Sequence, residues 1–319
     1  MKSFVIKVLC FLGIPLILLV GIYIISDPFK TIKSFDLKEF STVNRDYLST
    51  ELYLKNEQKQ KYNSFIFGSS RGCSLNTYKW KSYLPKGSNQ FLFQSWWETI
   101  TGIYQKISYL ENKKVSIKNV IILLDIPSSF SKTQEPKTAI SLKHYKLSGK
   151  SKLYFQSILF YSFLKPSEVY KSTKEIFVKS NYNIEFDTIS NDWNKSNKEN
   201  WEYTPRQDST LNKVNFGIRS KDEIVSQKLI SAEFESLLEK IKFILDKQKS
   251  NYKIIITPAY DQLRINKHDL YKLQKIFGKQ NVYDYSGKNT LTEDKFNFLD
   301  INHFDAIVGW KILENIYTK

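Results

Sequence analysis

Two short stretches of this chain carry residue types that do acyl chemistry. Phe65-Ile66-Phe67-Gly68-Ser69-Ser70-Arg71-Gly72 reads as an apolar strand running into a tight turn with an exposed serine. Phe298-Leu299-Asp300-Ile301-Asn302-His303-Phe304 puts an Asp and a His three residues apart, just before a helix-like segment. A serine hydroxyl is a weak nucleophile until a base takes its proton. A carboxylate on the other ring nitrogen of that base fixes its tautomer and stabilises the imidazolium. Ser70, His303 and Asp300 are therefore the candidate nucleophile, base and orienting acid. Taken singly, each motif has an ordinary reading: Gly-Ser-Ser suits any turn, and Asp-x-x-His suits a surface loop or a helix cap. The other two histidines, His144 in a polar stretch and His268 at a charged helix start, are expected on the surface.

These residues need a frame. Alternating strand and helix patterns imply a parallel sheet with helices on both faces. Strands are predicted at 63–67, 90–93, 120–126, 253–257 and 281–284. Helices are predicted at 96–110, 223–247, 268–277 and 305–317, from the spacing of their apolar residues. The continuous run Val120–Ile126 suits a parallel strand covered on both faces. In such sheets ligands sit at the C-terminal strand ends, which is where Ser70 lands. Residues 128–220 break the rhythm. They are rich in Lys, Ser and Asn and read as an insertion or lid, with helical pieces at 153–164 and 167–178.

The chain has 319 residues, 41% hydrophobic and 15% aromatic, enough for a sizeable core. Val8–Ile25 is an uncharged apolar run of the length that crosses a bilayer as a helix. No small-residue cleavage pattern follows it, so an uncleaved anchor is expected over a signal peptide. Residues 1–30 are read as the anchor, 31–60 as a stalk or lead-in and 61–319 as the main domain. A short N-terminal tail before a long domain suggests a cytoplasmic N-terminus with the domain outside the cytoplasm. The net charge of +16 comes from scattered Lys with no long basic run, so it is read as a solvated surface and not as a nucleic-acid footprint. Cys10 lies in the apolar run and Cys73 after the serine motif, which gives no disulfide framework. No metal-ligand cluster and no Gly-rich phosphate cradle is present, so neither metal nor cofactor is expected.

With these motifs in this order, the chain resembles the SGNH (GDSL-like) hydrolase superfamily in its membrane-anchored bacterial branch. Gly68-Ser69-Ser70-Arg71 matches the first block, with Ser70 at the nucleophile position, and Asp300 and His303 match the last. The resemblance covers roughly residues 60–319, more weakly in the middle. It implies an α/β three-layer sandwich with a central parallel sheet, preceded by one transmembrane helix. It also implies a Ser-His-Asp O-acyltransferase or esterase acting on an envelope polysaccharide, a lipid-linked glycan or an acylated lipid. A membrane-bound O-acyltransferase is an implied partner. Family members add an oxyanion-hole Gly and Asn from two middle blocks. Here Gln94 stands where the Asn is expected, with Gly102 a weaker candidate. Arg71 is a candidate for binding a substrate anion or for pairing with an internal acid, and Asp125 for facing the site or capping the next segment. The alternatives are a non-catalytic envelope assembly or binding protein that keeps the fold, and a broad lipid or small-ester hydrolase.

Overall fold

The computed structural model describes residues 1–33, 44–131, 139, 142–177, 186–192 and 216–318. Their helices are α1 (Lys2–Ser26), α2 (Arg45–Gln60), α3 (Thr77–Lys81), α4 (Ile100–Asn112), α5 (Tyr145–Ser148), α6 (Lys152–Phe163), α7 (Pro166–Phe177), α8 (Ala232–Lys247), α9 (Lys267–Phe277), α10 (Thr290–Glu293) and α11 (Ala306–Tyr317). Contacts divide the chain into two compact units, Met1–Tyr47 with Gln134–Ile184 and Leu48–Thr133 with Glu185–Lys319. The expected 31–60 lead-in and 128–220 insertion each fall across this division. Much of 178–215 lies outside the described residues.

The larger unit is built on five parallel strands: β1 (Ser64–Gly68), β2 (Gln90–Gln94), β3 (Asn119–Leu124), β4 (Asn251–Ile256) and β5 (Val282–Asp284). Their order is β2-β1-β3-β4-β5. The chain steps from β1 to one side and then crosses over to the other, so a topological switch lies between β1 and β3, the place where open α/β sheets bind ligands at their carboxyl ends.

Alternation within the strands sorts the core into two layers. Phe65, Phe67, Phe91 and Phe93 point to one face, where Tyr53 of α2 stacks on Phe93 with ring centroids 5.3 Å apart. Ile66, Leu92, Ile121, Leu123 and Ile255 point to the other, against Trp80 of α3 and Val308, Ile312 and Leu313 of α11. All four phenylalanines are fully buried, and each contributes on the order of 1.5–3 kcal/mol of burial. The sheet is thus flanked by helices on both faces, as expected.

The smaller unit centres on Tyr23, Phe29, Tyr47, Phe155, Leu159 and Phe163. α1 is long and apolar enough to cross a membrane. His144 corrects an expectation: it is fully buried here, not a surface residue. Its ring stacks between Tyr47 and Tyr145, at centroid distances of 5.1 and 4.4 Å, and its Nδ1 accepts the Lys146 backbone N–H to cap α5. An aromatic cluster that the polar composition of the segment hides has absorbed it.

Candidate active site

Ser70 is placed by the end of β1. At Gly68 a Cβ would sit 2.7 Å from Leu123 Cβ on the neighbouring β3, so only glycine lets the strands lie this close as the chain leaves the sheet. Ser69 caps the 3-10 turn Ser70–Ser74 by accepting the Arg71 backbone N–H. Ser70 takes the first turn position, above the carboxyl end of the sheet.

His303 and Asp300 are held by a closed loop. Phe298 and Phe304 form an antiparallel bridge, and Leu299 N–H donates to His303 O at 2.8 Å. Inside the loop Asp300 Oδ1 accepts the backbone N–H groups of Asn302 (2.7 Å) and His303 (3.0 Å). The same carboxylate lies 2.9 Å from His303 Nδ1 through both oxygens. Asp300 therefore shapes the loop and orients the ring at once. Burial acts to raise its pKa, but the His303 ring bond, the Asn302 N–H and the His303 charge outweigh it and hold the carboxyl below its ordinary value. With the ring proton on Nδ1 facing that carboxylate, Nε2 is left to accept from Ser70 Oγ, 2.8 Å away. The side chains of His303 and Asp300 remain 32% and 45% exposed, so the site opens to solvent on one side.

Two further contacts fix the serine turn against the histidine loop. Ser74 Oγ donates to Phe304 O at 2.6 Å. Gly309 of α11 packs so tightly on the turn that a Cβ there would lie 1.9 Å from Ser74 O. The composition of α11 marks it only as an apolar helix. An isolated Gly in such a pattern is the one signal in the sequence of a close approach.

Arg71 ties four segments together. Its Nε donates to Asn302 O at 2.6 Å, and its Nη1 donates to Thr257 Oγ1 at 2.8 Å and lies 3.4 Å from Asp125 Oδ1. Thr257 in turn donates to Asp125 Oδ1 at 2.7 Å. The guanidinium thus spans the ends of β1, β3 and β4 and reaches the residue next to His303. Asp125 pairs with Arg71, and Thr257 is a member of this network that no motif announces.

Ser70, His303, Asp300 and Arg71 come together. Gln94 sits at the end of β2, paired in register with Gly68, but it is fully buried and its amide donates to Cys73 Sγ at 3.1 Å. Gly102 lies inside the first turn of α4, where its N–H donates to the capping Thr99 hydroxyl.

No known family model matches the chain, and no curated protein is significantly similar to it in sequence.

Trp97, expected on the apolar face of the 96–110 helix, lies instead in the turn before α4. Trp97 is 67% exposed and has a backbone φ of 49°, a left-handed conformation that costs a bulky residue about 1–3 kcal/mol. Its neighbours hold it there. Ser95, Glu98 and Thr99 are buried, and Ser95 N–H donates to Gly68 O, at the base of the serine turn. Glu98 forms an ion pair with Lys106 in which both side chains are fully buried. The loop is thus anchored at both ends while presenting a tryptophan to solvent, two residues beyond the Ser95–Gly68 bond.

Proposed function

We propose that this chain is a membrane-anchored, serine-dependent O-acyltransferase or esterase of the SGNH-like type. Its substrate is a hydroxyl-bearing envelope glycan or lipid-linked glycan, and the larger unit lies outside the cytoplasm. One observation carries this reading: a hydrogen-bonded chain from Ser70 through His303 to Asp300, at the carboxyl end of a parallel sheet and open to solvent on one side.

The steps follow from that chain. Ser70 Oγ attacks the acyl carbonyl while His303 Nε2 takes its proton. Asp300 holds the Nδ1–H and stabilises the imidazolium. The leaving group departs with the proton from His303, and the acyl group rests on Ser70. His303 then deprotonates an incoming sugar hydroxyl, which attacks the acyl-serine; water in its place gives hydrolysis. For the oxyanion we assign the Ser70 backbone N–H, because the first donors of a helical turn have no acceptor within it. Trp97 offers a ring face to the flat apolar side of a pyranose. A membrane-bound O-acyltransferase that delivers acyl groups would complete the supply of donor.

A non-catalytic envelope assembly or binding protein that keeps the fold is the second reading. It is favoured by the Gln94 amide, which is fully buried and donates to Cys73 Sγ. The test is the ester content of the envelope glycan in cells making Ser70→Ala at the wild-type protein level. Loss of the ester is expected. Normal ester content would overturn acyl transfer by this serine and leave the binding reading.

A further inference from the structure

α1 is covered along only part of its length. Its described residues from Lys2 to Leu18 are almost all exposed, whereas Leu19, Ile22 and Tyr23 pack on α6 and α7. Tyr23 meets Phe160 and Phe163, each at a centroid distance of 5.2 Å, and its hydroxyl donates to Gln156 at 2.9 Å. The uncharged run Val8–Ile25 is about 27 Å long at 1.5 Å per residue, close to the roughly 30 Å of a bilayer's hydrocarbon core. Ile22 and Tyr23 fall in the last third of that run, and Leu19 immediately precedes it. Whatever packs on them lies at the outer boundary of the hydrocarbon.

The outer faces of α6 and α7 suit that level. Leu153 and Tyr161 of α6 and Leu164 at its C-cap share one face and are 80%, 68% and 40% exposed. On α7, Tyr170 and Phe177 are 73% and 82% exposed and share a face with Lys174. Large apolar side chains turned outward on neighbouring helices are the mark of an interaction or membrane surface. Residues 150–177 carry five Lys against two Glu. Aromatic and aliphatic tips beside lysines are the chemistry of a helix lying in a headgroup layer, with the rings in the acyl boundary and the ammonium groups among phosphates.

We infer that α6 and α7 form a membrane-seating hairpin, whose outer face rests in the anionic leaflet boundary that α1 crosses. This rests on α1 spanning a bilayer, not on the chemistry of Ser70. The hairpin would fix how the smaller unit meets the membrane, which a single helix, free to tilt and rotate, does not do.

The full chain reconstituted in vesicles of phosphatidylcholine and phosphatidylglycerol tests it, with bromine near the top of the lipid acyl chains. An environment-sensitive thiol dye is placed at Tyr161→Cys, Tyr170→Cys or Phe177→Cys in a background carrying Cys10→Ser and Cys73→Ala, one site at a time. All three positions are exposed, so misfolding of one variant leaves the others to report. Dye on Cys10 in a chain altered only at Cys73→Ala reads the span in the same vesicles. The expected result is blue-shifted emission and bromine quenching at the hairpin sites as well as at Cys10. Quenching at Cys10 with water-like, unquenched emission at all hairpin sites would overturn the seating and keep the span; contact with another membrane protein would then be the use left for this face. An unquenched Cys10 would overturn both. Quenching at the hairpin that is unchanged when phosphatidylglycerol is replaced by phosphatidylcholine would overturn the anionic preference.

Discussion

Ser70 Oγ lies 2.8 Å from His303 Nε2, although 233 residues separate the two in the chain. The strand end at Gly68, the Ser74–Phe304 bond and the tight seat of Gly309 together close that distance. If the pair works as nucleophile and base, Ser70→Ala and His303→Ala should each lower kcat for p-nitrophenyl acetate by about 10,000-fold or more. The double variant should be no worse than either single one, because the two act as a unit. Asp300→Asn should cost about 100- to 10,000-fold, since it leaves the ring in place but disturbs its tautomer. Steady-state kinetics on the four purified proteins checks this; additive losses in the double variant would argue against a shared step.

Gly309→Ala is a structural test of the same placement. A methyl group 1.9 Å from the Ser74 carbonyl oxygen cannot be relieved by a rotamer change, so α11 or the serine turn must move. A stability loss of about 1–3 kcal/mol is expected, as for other overpacked sites. kcat should fall with it, because the turn and the His303 loop shift apart. Denaturant titration together with kinetics reads both; wild-type values for both would mean that the close approach does not position the site.

At Trp97 stability and binding should part company. Trp97→Gly relieves a left-handed backbone and gives up a mostly exposed ring, so the variant should be as stable as wild type or better by about 1 kcal/mol. Its KM for a glycan acceptor should rise several-fold, while hydrolysis of p-nitrophenyl acetate is unchanged. An unaltered acceptor KM would remove Trp97 from the binding surface.

The strands and the two motifs could be read from the chain because each is local. β1, β2, β3 and β4 lie within two residues of their expected starts, since buried parallel strands are short continuous apolar runs. α8 begins at Ala232, not near 223, because Ser231 caps it and the preceding residues run extended to bridge Val225 with Arg264. α4 begins at Ile100, after the Trp97 loop, where Thr99 caps it. α2 did not stand out, because its apolar residues Leu48, Leu52 and Tyr53 sit in an otherwise polar stretch. What local pattern could not supply were the long-range partners: Gln94 with Cys73, Arg71 with Thr257 and Asn302, and Gly309 against Ser74.

Asp192 gives the fold a pH dependence of definite sign. Burial raises its carboxyl from the ordinary 3.8 to about 7, against the opposing hydrogen bonds from Thr77. Between those values the folded chain binds a proton that the unfolded chain does not, so stability falls as pH rises from about 4 to about 7 and levels off above. Asp192→Asn should flatten that slope. Thermal unfolding of both proteins across this range checks it; parallel curves would mean that Asp192 does not carry the effect.

The most direct test of the central claim is reaction of the intact chain with a fluorophosphonate, followed by mass mapping of the adduct. A serine hydrogen-bonded to an imidazole that a carboxylate orients should be the nucleophile the reagent finds. One adduct is expected, on Ser70, lost in His303→Ala and retained in Ser69→Ala. A folded protein with no adduct on Ser70, or labelling of Ser70 that is indifferent to His303, would contradict serine catalysis at this site.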